Sequence, residues 1–276
     1  MSKDRLENIY CNNPFQPSRL KTREVFIGNV PMGSMHPVRI QSMTNTPTGD
    51  TIASVEQCIR IIEKGADYVR LTAANIQEAE NLVNIKKELR TRGYSTPLIA
   101  DVHFNPRVAE TSARIVEKIR INPGNLVSSH DKGKPSIREK LVPLINICKE
   151  YGTAMRIGVN HGSLSKRILQ EYGDTPTGMV ESAMEYLEIC REENFHQLIF
   201  SMKSSNTRVM VQAYRLLVSK MLQLGDVYPL HLGVTEAGDG EDGRIKSAAG
   251  IGTLMADGLG DTIRISLTED PEEEIP

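Results

Sequence analysis

The sequence contains no tryptophan, only five phenylalanines and four cysteines, and no hydrophobic run long enough to cross a membrane. A membrane-spanning helix needs about 20 consecutive apolar residues, so a membrane protein of that kind is excluded. Residues 1–13 have no apolar core and no small-residue cleavage site, which excludes a secretory signal in this stretch. These absences favour the cytoplasm as the location of the protein.

The cysteines are widely separated and include no C-x-x-C pair. Cys58, Cys148 and Cys190 lie among isoleucine and leucine at helical spacing, so we interpret them as buried thiols, and Cys11 as a free thiol. We therefore expect no metal ligands and no iron–sulfur ligand set in this chain. The formal net charge of −2 and the pI of about 6.3 provide no general attraction for nucleic acid or for an anionic membrane.

Eight short apolar segments separated by helical patterns predict a repeated strand–helix fold. The intervals average about 30 residues, the length of one unit in a (βα)8 TIM barrel. The predicted strands begin near Val38, Tyr68, Pro97, Lys118, Ala154, Gln197, Tyr228 and Asp261. We expect an N-terminal extension over residues 1–21 and a single barrel over residues 22–276. The segment REVFIGNVPMGSMHP predicts a β-hairpin that closes the N-terminal end of the barrel.

The predicted strands carry polar residues at alternate positions, with apolar residues between them. Side chains alternate between the two faces of a strand, so these polar residues point into the barrel. Examples are Arg70-x-Thr72, Arg120-x-Asn122, Arg156-x-Gly158-x-Asn160, Ser201-x-Lys203, His231-x-Gly233 and Arg264-x-Ser266. Four arginines and one lysine in one enclosed space predict a site for a multivalent anion such as a phosphate.

For each of these residues a purely structural interpretation stays open. An interior arginine can pair with an interior acid such as Asp101 or Glu236. Asp101 and His103 are candidates for proton transfer, and Glu236 for holding a substrate hydroxyl, although a lone histidine is more often structural. The glycine-containing loops NPGN and GVNHGS are candidates for phosphate binding through backbone N–H groups, but taken alone each favours an ordinary turn between strand and helix.

Several longer strings resemble one enzyme family. QSMTNTPTGD, ADVHFNP, KIRINPGN, MRIGVNHGSL, HLGVTEAG and GLGDTIRISLTEDPEEEI are similar to the IspG/GcpE family of 4-hydroxy-3-methylbut-2-enyl diphosphate synthases, longer type. The resemblance runs from about Thr22 to the last residue. It implies an oxidoreductase of isoprenoid biosynthesis, in the methylerythritol phosphate pathway, whose barrel binds 2-C-methyl-D-erythritol 2,4-cyclodiphosphate. The ring is opened with two electrons and loss of water.

The resemblance also implies a cofactor and partners. The family takes electrons from ferredoxin or flavodoxin through a [4Fe-4S] cluster, which three cysteines and a glutamate hold in a separate domain. That domain is not found in these residues, so the cluster is expected to come from elsewhere in the same chain or from a partner subunit. The resemblance places Arg70, Arg120, Arg156, Lys203, Arg264 and Ser266 on diphosphate. Asn122, Asn160, Asp101, His103 and Glu236 match its other polar pocket positions.

We thus expect this chain to bind the cyclic diphosphate without turning it over. Two other functions stay open. One is a different diphosphate-handling barrel, similar to dihydropteroate synthase, because a cationic barrel mouth does not by itself name a substrate. The other is a non-catalytic binding or assembly module that offers its surface to a partner carrying the cluster.

Overall fold

The computed structural model describes residues 9–102, 105–126 and 134–276, apart from the side chains of residues 134 and 135. Two strands form an antiparallel hairpin, β1 (Val25–Ile27) and β2 (Val30–Met32). Eight further strands form one parallel sheet. They are β3 (Arg39–Met43), β4 (Tyr68–Ala73), β5 (Leu98–Val102), β6 (Lys118–Ile121), β7 (Ala154–Asn160), β8 (Leu198–Lys203), β9 (His231–Leu232) and β10 (Thr262–Ile263).

Helices alternate with the strands of the parallel sheet. They are α1 (Thr51–Glu63), α2 (Ile76–Thr91), α3 (Pro106–Ala113), α4 (Pro123–Leu126), α5 (Lys134–Tyr151), α6 (Lys166–Tyr172), α7 (Pro176–Glu192), α8 (Thr207–Gln223) and α9 (Gly240–Ala256). Several helices are preceded by a short polar residue whose side chain accepts a hydrogen bond from a backbone N–H group of the first turn. Examples are Asp50, Asn75 and Asn206. The short helices α4 and α6 were not predicted from the sequence. No helix in the described part of the chain is long and apolar enough to cross a membrane.

The sheet closes into a barrel. Its strand order is β8-β7-β6-β5-β4-β3-β10-β9, and a parallel bridge between Phe200 and Leu230 joins the two outer strands. All ladders within it are parallel, from the pairing of Thr262 with Arg39 to that of Asn160 with Lys203. The TIM barrel predicted from the repeat of strands and helices is confirmed.

The hairpin β1–β2 plugs the N-terminal end of the barrel. Val25, Ile27 and Met32 form a separate apolar cluster with the first inward-facing residues of four barrel strands. Those four residues are Tyr68, Ile99, Ala154 and Ile199. The plug therefore supplies an apolar floor, and polar side chains can occupy the inside of the barrel only above it.

A short 3₁₀ segment, Pro271–Glu274, follows the last strand and packs against α1. Arg60 Nε donates to Glu272 Oε1 at 2.5 Å, and Lys64 pairs with Glu273 at 3.4 Å. The sequence had suggested only that this acidic run marks the edge of a domain. In the structure the run packs against β3 and α1. The boundary between an extension and the barrel at residue 22 stays a prediction.

Candidate anion-binding site at the carboxyl ends of the strands

A polar cavity of about 130 Å³ lies inside the barrel, at the carboxyl ends of the strands. Its walls contain five cationic side chains and one carboxylate among the described residues. The lining residues are Arg70, Asp101, Arg120, Arg156, Asn160, Ser201, Lys203, Thr235, Arg264 and Ser266. Nine of these ten were candidates from the sequence, and Thr235 was not. Their strands bring them together because every second residue of a barrel strand points inward.

Asp101 lies between two of the arginines. Its Oδ1 accepts from Arg120 Nη1 at 3.1 Å, and its Oδ2 lies 3.5 Å from Arg70 Nε. Arg120 Nη2 also donates to the Gly158 carbonyl at 2.9 Å. Asp101 thus fixes two guanidinium groups and offsets part of their charge, which is the structural pairing that the sequence left open. It leaves most of the positive charge of the cavity unbalanced.

Arg156 and Lys203 offer donors that no described protein group uses. Nε and Nη1 of Arg156 have no hydrogen-bond partner within the described chain, although only 2% of this residue is exposed. Lys203 is also buried and forms no ion pair with the residues described. Arg70 places Nη2 2.9 Å from the sulfur of Met43, which is a weak acceptor. Buried donors of this kind favour binding of an anion.

Burial and mutual repulsion oppose the charges on these groups. Burial, followed by the nearby Arg70 and Arg156, lowers the pKa of Lys203 well below its ordinary value. Burial also lowers the pKa of Arg70 to about 10, although Asp101 acts in the opposite direction. The pKa of Arg156 falls for the same reason, yet a guanidinium keeps its proton in proteins. An anion in the cavity would relieve the repulsion in all three cases.

Two glycines make room for the cations. A Cβ atom at Gly158 would lie 2.4 Å from Arg120 Nε, and one at Gly233 would lie 2.6 Å from Lys203 Nζ. Both glycines occupy inward-facing positions, where any other residue would displace a cationic side chain. The glycine positions in the alternating pattern are therefore part of the site.

Arg264 differs from the other cations of the cavity because a carboxylate holds it through two hydrogen bonds. Glu274, in the 3₁₀ segment, accepts from Arg264 Nε at 3.0 Å and from Nη2 at 2.9 Å. Sequence reasoning missed Glu274. Of the two acids that it proposed for such pairings, Asp101 does pair with arginines, whereas Glu236 is exposed. The only signal was the acidic run at 272–274, in which a single glutamate turns inward.

Three candidates from the sequence are not among the cavity-lining residues, and a fourth lies outside the part of the chain that the structure describes. His231 is fully buried one inward position before Gly233, a layer deeper in the barrel. The Asn122 side chain donates to Ser163 Oγ and accepts from Gly124 N. Glu236 is exposed and has a positive φ of 51°. His103 lies outside the described residues.

Lys118 is a further buried cation that the sequence analysis did not select. Its Nζ lies 3.4 Å from Gln41 Oε1 and 4.8 Å from the centre of the Tyr68 ring. Burial, together with Arg156 and Arg70, lowers the pKa of Lys118 well below its ordinary value. The signal was available, because Lys118 lies two positions before Arg120 on the same strand.

The two glycine-containing loops act as turns. The N–H of Gly124 donates to Asn122 Oδ1 at 3.1 Å, and the N–H of Gly162 donates to Asp174 Oδ1 at 3.2 Å. These groups are therefore used within the protein. The structure favours the interpretation of NPGN and GVNHGS as ordinary connections between strand and helix.

The cysteines do not fit an iron–sulfur cluster. Cys58, Cys148 and Cys190 are buried in the apolar shell, and burial raises the pKa of Cys58 and of Cys148 to about 12. A cluster ligand has to be a thiolate, which such surroundings disfavour. Within residues 9–102, 105–126 and 134–276, no group of three or more histidine, cysteine, aspartate or glutamate side chains is placed to hold a metal ion.

Comparison with known proteins agrees with the motifs. Residues 22–276 match the family model described as the GcpE TIM-barrel domain. This chain belongs to the GcpE family. A relative from Bacteroides fragilis, named 4-hydroxy-3-methylbut-2-en-1-yl diphosphate synthase (flavodoxin), is 60% identical over 275 residues, which cover 95% of this chain and 44% of that protein. The resemblance stated from the motifs is confirmed.

A plant member of the GcpE family is similar over the same region. The protein from Oryza sativa subsp. japonica, named 4-hydroxy-3-methylbut-2-en-1-yl diphosphate synthase (ferredoxin), chloroplastic, is 54% identical over an alignment that covers 96% of this chain and 38% of that protein. The chain thus spans less than half the length of these two relatives.

Solved structures of other enzymes share the fold. Dihydropteroate synthase from Vibrio fischeri superposes with a TM-score of 0.54 and 14% identity, over 92% of this chain and 95% of that one. N-acetylneuraminic acid synthetase from Leptospira borgpetersenii gives a TM-score of 0.59 and 13% identity, over 92% and 85% of the two chains. At such low identity the likeness shows the barrel fold alone.

Proposed function

We propose that this chain is the substrate-binding barrel of a 4-hydroxy-3-methylbut-2-en-1-yl diphosphate synthase. In this function it holds 2-C-methyl-D-erythritol 2,4-cyclodiphosphate while the ring is opened reductively to the linear diphosphate. The observation that carries the proposal is the cavity lined by five cationic side chains and one carboxylate. Membership of the GcpE family and the names of the relatives support the choice of substrate.

The charge of the cavity suits this reaction. Each phosphorus of a cyclic diphosphate carries one ionised oxygen, and ring opening exposes a further ionisable oxygen on the diphosphate. The negative charge therefore grows as the reaction proceeds. Preorganised cations in an enclosed site stabilise such developing charge more effectively than water does.

The donors that have no described partner are the ones that contact the substrate in this proposal. Nε and Nη1 of Arg156 and the ammonium of Lys203 bind phosphate oxygens, and Arg70 adds Nη2. Asn160, Ser201 and Ser266 hold the remaining polar atoms of the substrate from the cavity wall. Asp101 keeps Arg70 and Arg120 in place. Roles in catalysis for Asp101, His103 and Glu236, and in binding for Asn122 and His231, stay predictions.

The electrons come from outside this set of residues. Relatives carry flavodoxin or ferredoxin in their names, so we propose one of these as the electron donor of the whole enzyme. The described cysteines do not fit a [4Fe-4S] cluster. Other residues of the same polypeptide, or a partner subunit, would hold the cluster, which would supply the electrons when bound. Cytoplasmic location stays a prediction.

Calorimetric titration with the cyclodiphosphate tests the proposal. The chain should bind one equivalent, and Arg156→Met should weaken binding about 10- to 100-fold, since a charge-assisted hydrogen bond contributes about 1.5–3 kcal/mol. Arg156→Lys should also weaken binding, because an ammonium does not reproduce the planar fork. The exposed variant Arg208→Met serves as the control. The absence of binding by the wild-type chain would refute the proposal.

A second measurement separates binding from turnover. Incubated with the cyclodiphosphate and a chemically reduced low-potential donor, the chain alone should form no linear diphosphate. Product formation would refute the proposal that this barrel binds the substrate while a separate, cluster-bearing part supplies the electrons. Binding that gives no turnover even with a cluster-bearing part present would favour a non-catalytic module.

A further inference from the structure

Glu274 is a buried carboxylate whose two oxygens are fully engaged. Its side chain is only 1% exposed, and four donor atoms lie within hydrogen-bond distance of its oxygens. Oε1 accepts from Arg264 Nη2 at 2.9 Å and from the Leu267 N–H at 3.2 Å. Oε2 accepts from Arg264 Nε at 3.0 Å. Ser42 Oγ lies 2.9 Å from Oε2 and also 2.9 Å from the Pro271 carbonyl, and these two acceptors share its single hydroxyl proton. This bidentate pair fixes the plane of the Arg264 guanidinium.

The neighbours of Glu274 anchor the segment from the outside. Glu272 pairs with Arg60 of the outer helix α1, and Glu273 pairs with Lys64, the residue that caps the C-terminal end of this helix. Three successive glutamates thus hold the segment, two against the helix and one against the barrel interior. The inward glutamate is the one that contacts a cavity residue.

The pairing leaves one edge of Arg264 for a ligand. Nε and Nη2 are occupied by Glu274, whereas Nη1 has only the Met43 sulfur at 3.9 Å as a partner among the described residues. Arg264 nevertheless lines the cavity. Its available donor is therefore the Nη1 amino group. The bidentate edge formed by Nε and Nη2 is already occupied by the carboxylate.

We propose that Glu274 is a positioning residue for Arg264, which it holds so that Nη1 donates to a diphosphate oxygen of the substrate. This inference rests on the proposed function. Without the carboxylate, the guanidinium would lose its fixed plane, and ordering it would then oppose binding. Glu274 affects substrate binding only through its contact with Arg264.

A double-mutant cycle tests this relationship. The affinity for the cyclodiphosphate is measured by calorimetry for the wild type, Glu274→Gln, Arg264→Met and the double variant. Glu274→Gln keeps the volume and removes the charge, and it should weaken binding about tenfold. In the Arg264→Met background the same substitution should have no further effect, because the group through which it acts is absent. A merely structural role would weaken binding in both backgrounds.

Arg60→Ala is the matched control, since it removes an ion pair of the same segment without touching Arg264. It should leave the dissociation constant unchanged. If Glu274→Gln does not fold, Ser42→Ala provides the second variant. Loss of one hydrogen bond to Glu274 should weaken binding two- to fivefold, and again only when Arg264 is present.

The outcomes distinguish this inference from the proposed function. Wild-type binding with an unchanged or improved affinity in Glu274→Gln would overturn the inference alone, and an improved affinity would mean that the carboxylate competes with the substrate. No binding by the wild type would refute the proposed function and the inference with it. A tenfold loss that disappears in the Arg264→Met background supports both.

Discussion

Arg120 lies so close to Gly158 that a Cβ atom there would come within 2.4 Å of Arg120 Nε. The same guanidinium donates from Nη2 to the Gly158 carbonyl at 2.9 Å. A glycine on the barrel wall and an arginine on the neighbouring strand thus form one unit. The cationic site therefore depends on the glycine as well as on the arginine, because a larger residue at position 158 would occupy the space of the guanidinium.

Gly158→Ala should therefore displace Arg120 and weaken binding of the cyclodiphosphate about tenfold or more. The methyl group cannot be accommodated without moving the guanidinium or the backbone. Calorimetry on the purified variant measures the loss. Gly252→Ala is the control, because a Cβ atom there meets no atom within 4 Å. Equal affinity of Gly158→Ala and the wild type would contradict the close packing.

Binding of the anion should be accompanied by proton uptake. Burial holds the pKa of Lys203 well below its ordinary value in the free protein, and a nearby anion raises it again. Between these two pKa values the lysine is neutral when free and protonated when bound, so affinity falls as pH rises through that window. Calorimetry in buffers of different ionisation enthalpy, from about pH 7 to about pH 10, measures the uptake.

Lys203→Met identifies the group that takes up the proton. The variant should bind more weakly and should lose most of the uptake. Lys118→Met is the comparison, since the pKa of Lys118 is also lowered by burial. Uptake that persists in Lys203→Met but disappears in Lys118→Met would assign the proton to the deeper lysine instead.

His231 should make the folded protein sensitive to acid. Burial, with Arg156 and Lys203 nearby, lowers the pKa of His231 well below its ordinary value, and neither ring nitrogen has a described partner. Below about pH 6.5 the unfolded chain takes up a proton that the folded chain does not, so stability falls with pH. The contribution is about 1.4 kcal/mol for each pH unit until the folded pKa is reached.

Urea unfolding at about pH 7.5 and about pH 5.5 measures this effect. His231→Asn should reduce the pH dependence of the free energy of unfolding by about 1.4 kcal/mol over this interval. The partly exposed His196 serves as the control, through His196→Asn. If both substitutions change the slope equally, the buried histidine is not its main source.

The plug should contribute strongly to stability. Ile27 is fully buried against the floor of the barrel, so Ile27→Ala should lower the free energy of unfolding by about 2–5 kcal/mol. Phe26, the preceding residue of the same strand, is 45% exposed, and Phe26→Ala should cost much less. Denaturant unfolding compares the two. Similar losses would show that the hairpin does not act as a plug.

The fold was accessible from the sequence because its signals are local. The predicted start at Lys118 coincides with β6, and that at Tyr68 coincides with β4. The alternation of polar and apolar residues assigned inward and outward faces without knowledge of strand pairing. The prediction missed α6, a short helix whose seven residues give too little periodicity to stand out.

The candidate site was accessible in part. Asp101 and Arg120 were selected from the pattern, and the structure places them in contact. Glu236 was selected as well, but its backbone has a positive φ and its side chain is exposed. The backbone conformation of this one turn residue determines where the Glu236 side chain points. The alternating pattern of the preceding strand ends before Glu236 and therefore does not predict that direction.

The sequence by itself determined the barrel, the hairpin at its N-terminal end and the gathering of cations inside it, because a period of two and a regular spacing fix which residues face inward. Only the tertiary structure decided how those charges are compensated. Glu274 reaches Ser42 across a sequence separation of 232 residues, and in the same place it holds Arg264. Contacts between residues so far apart in the sequence depend on which strands lie next to each other. The periodicity of the sequence does not contain that information, so the contacts are determined only when the barrel closes.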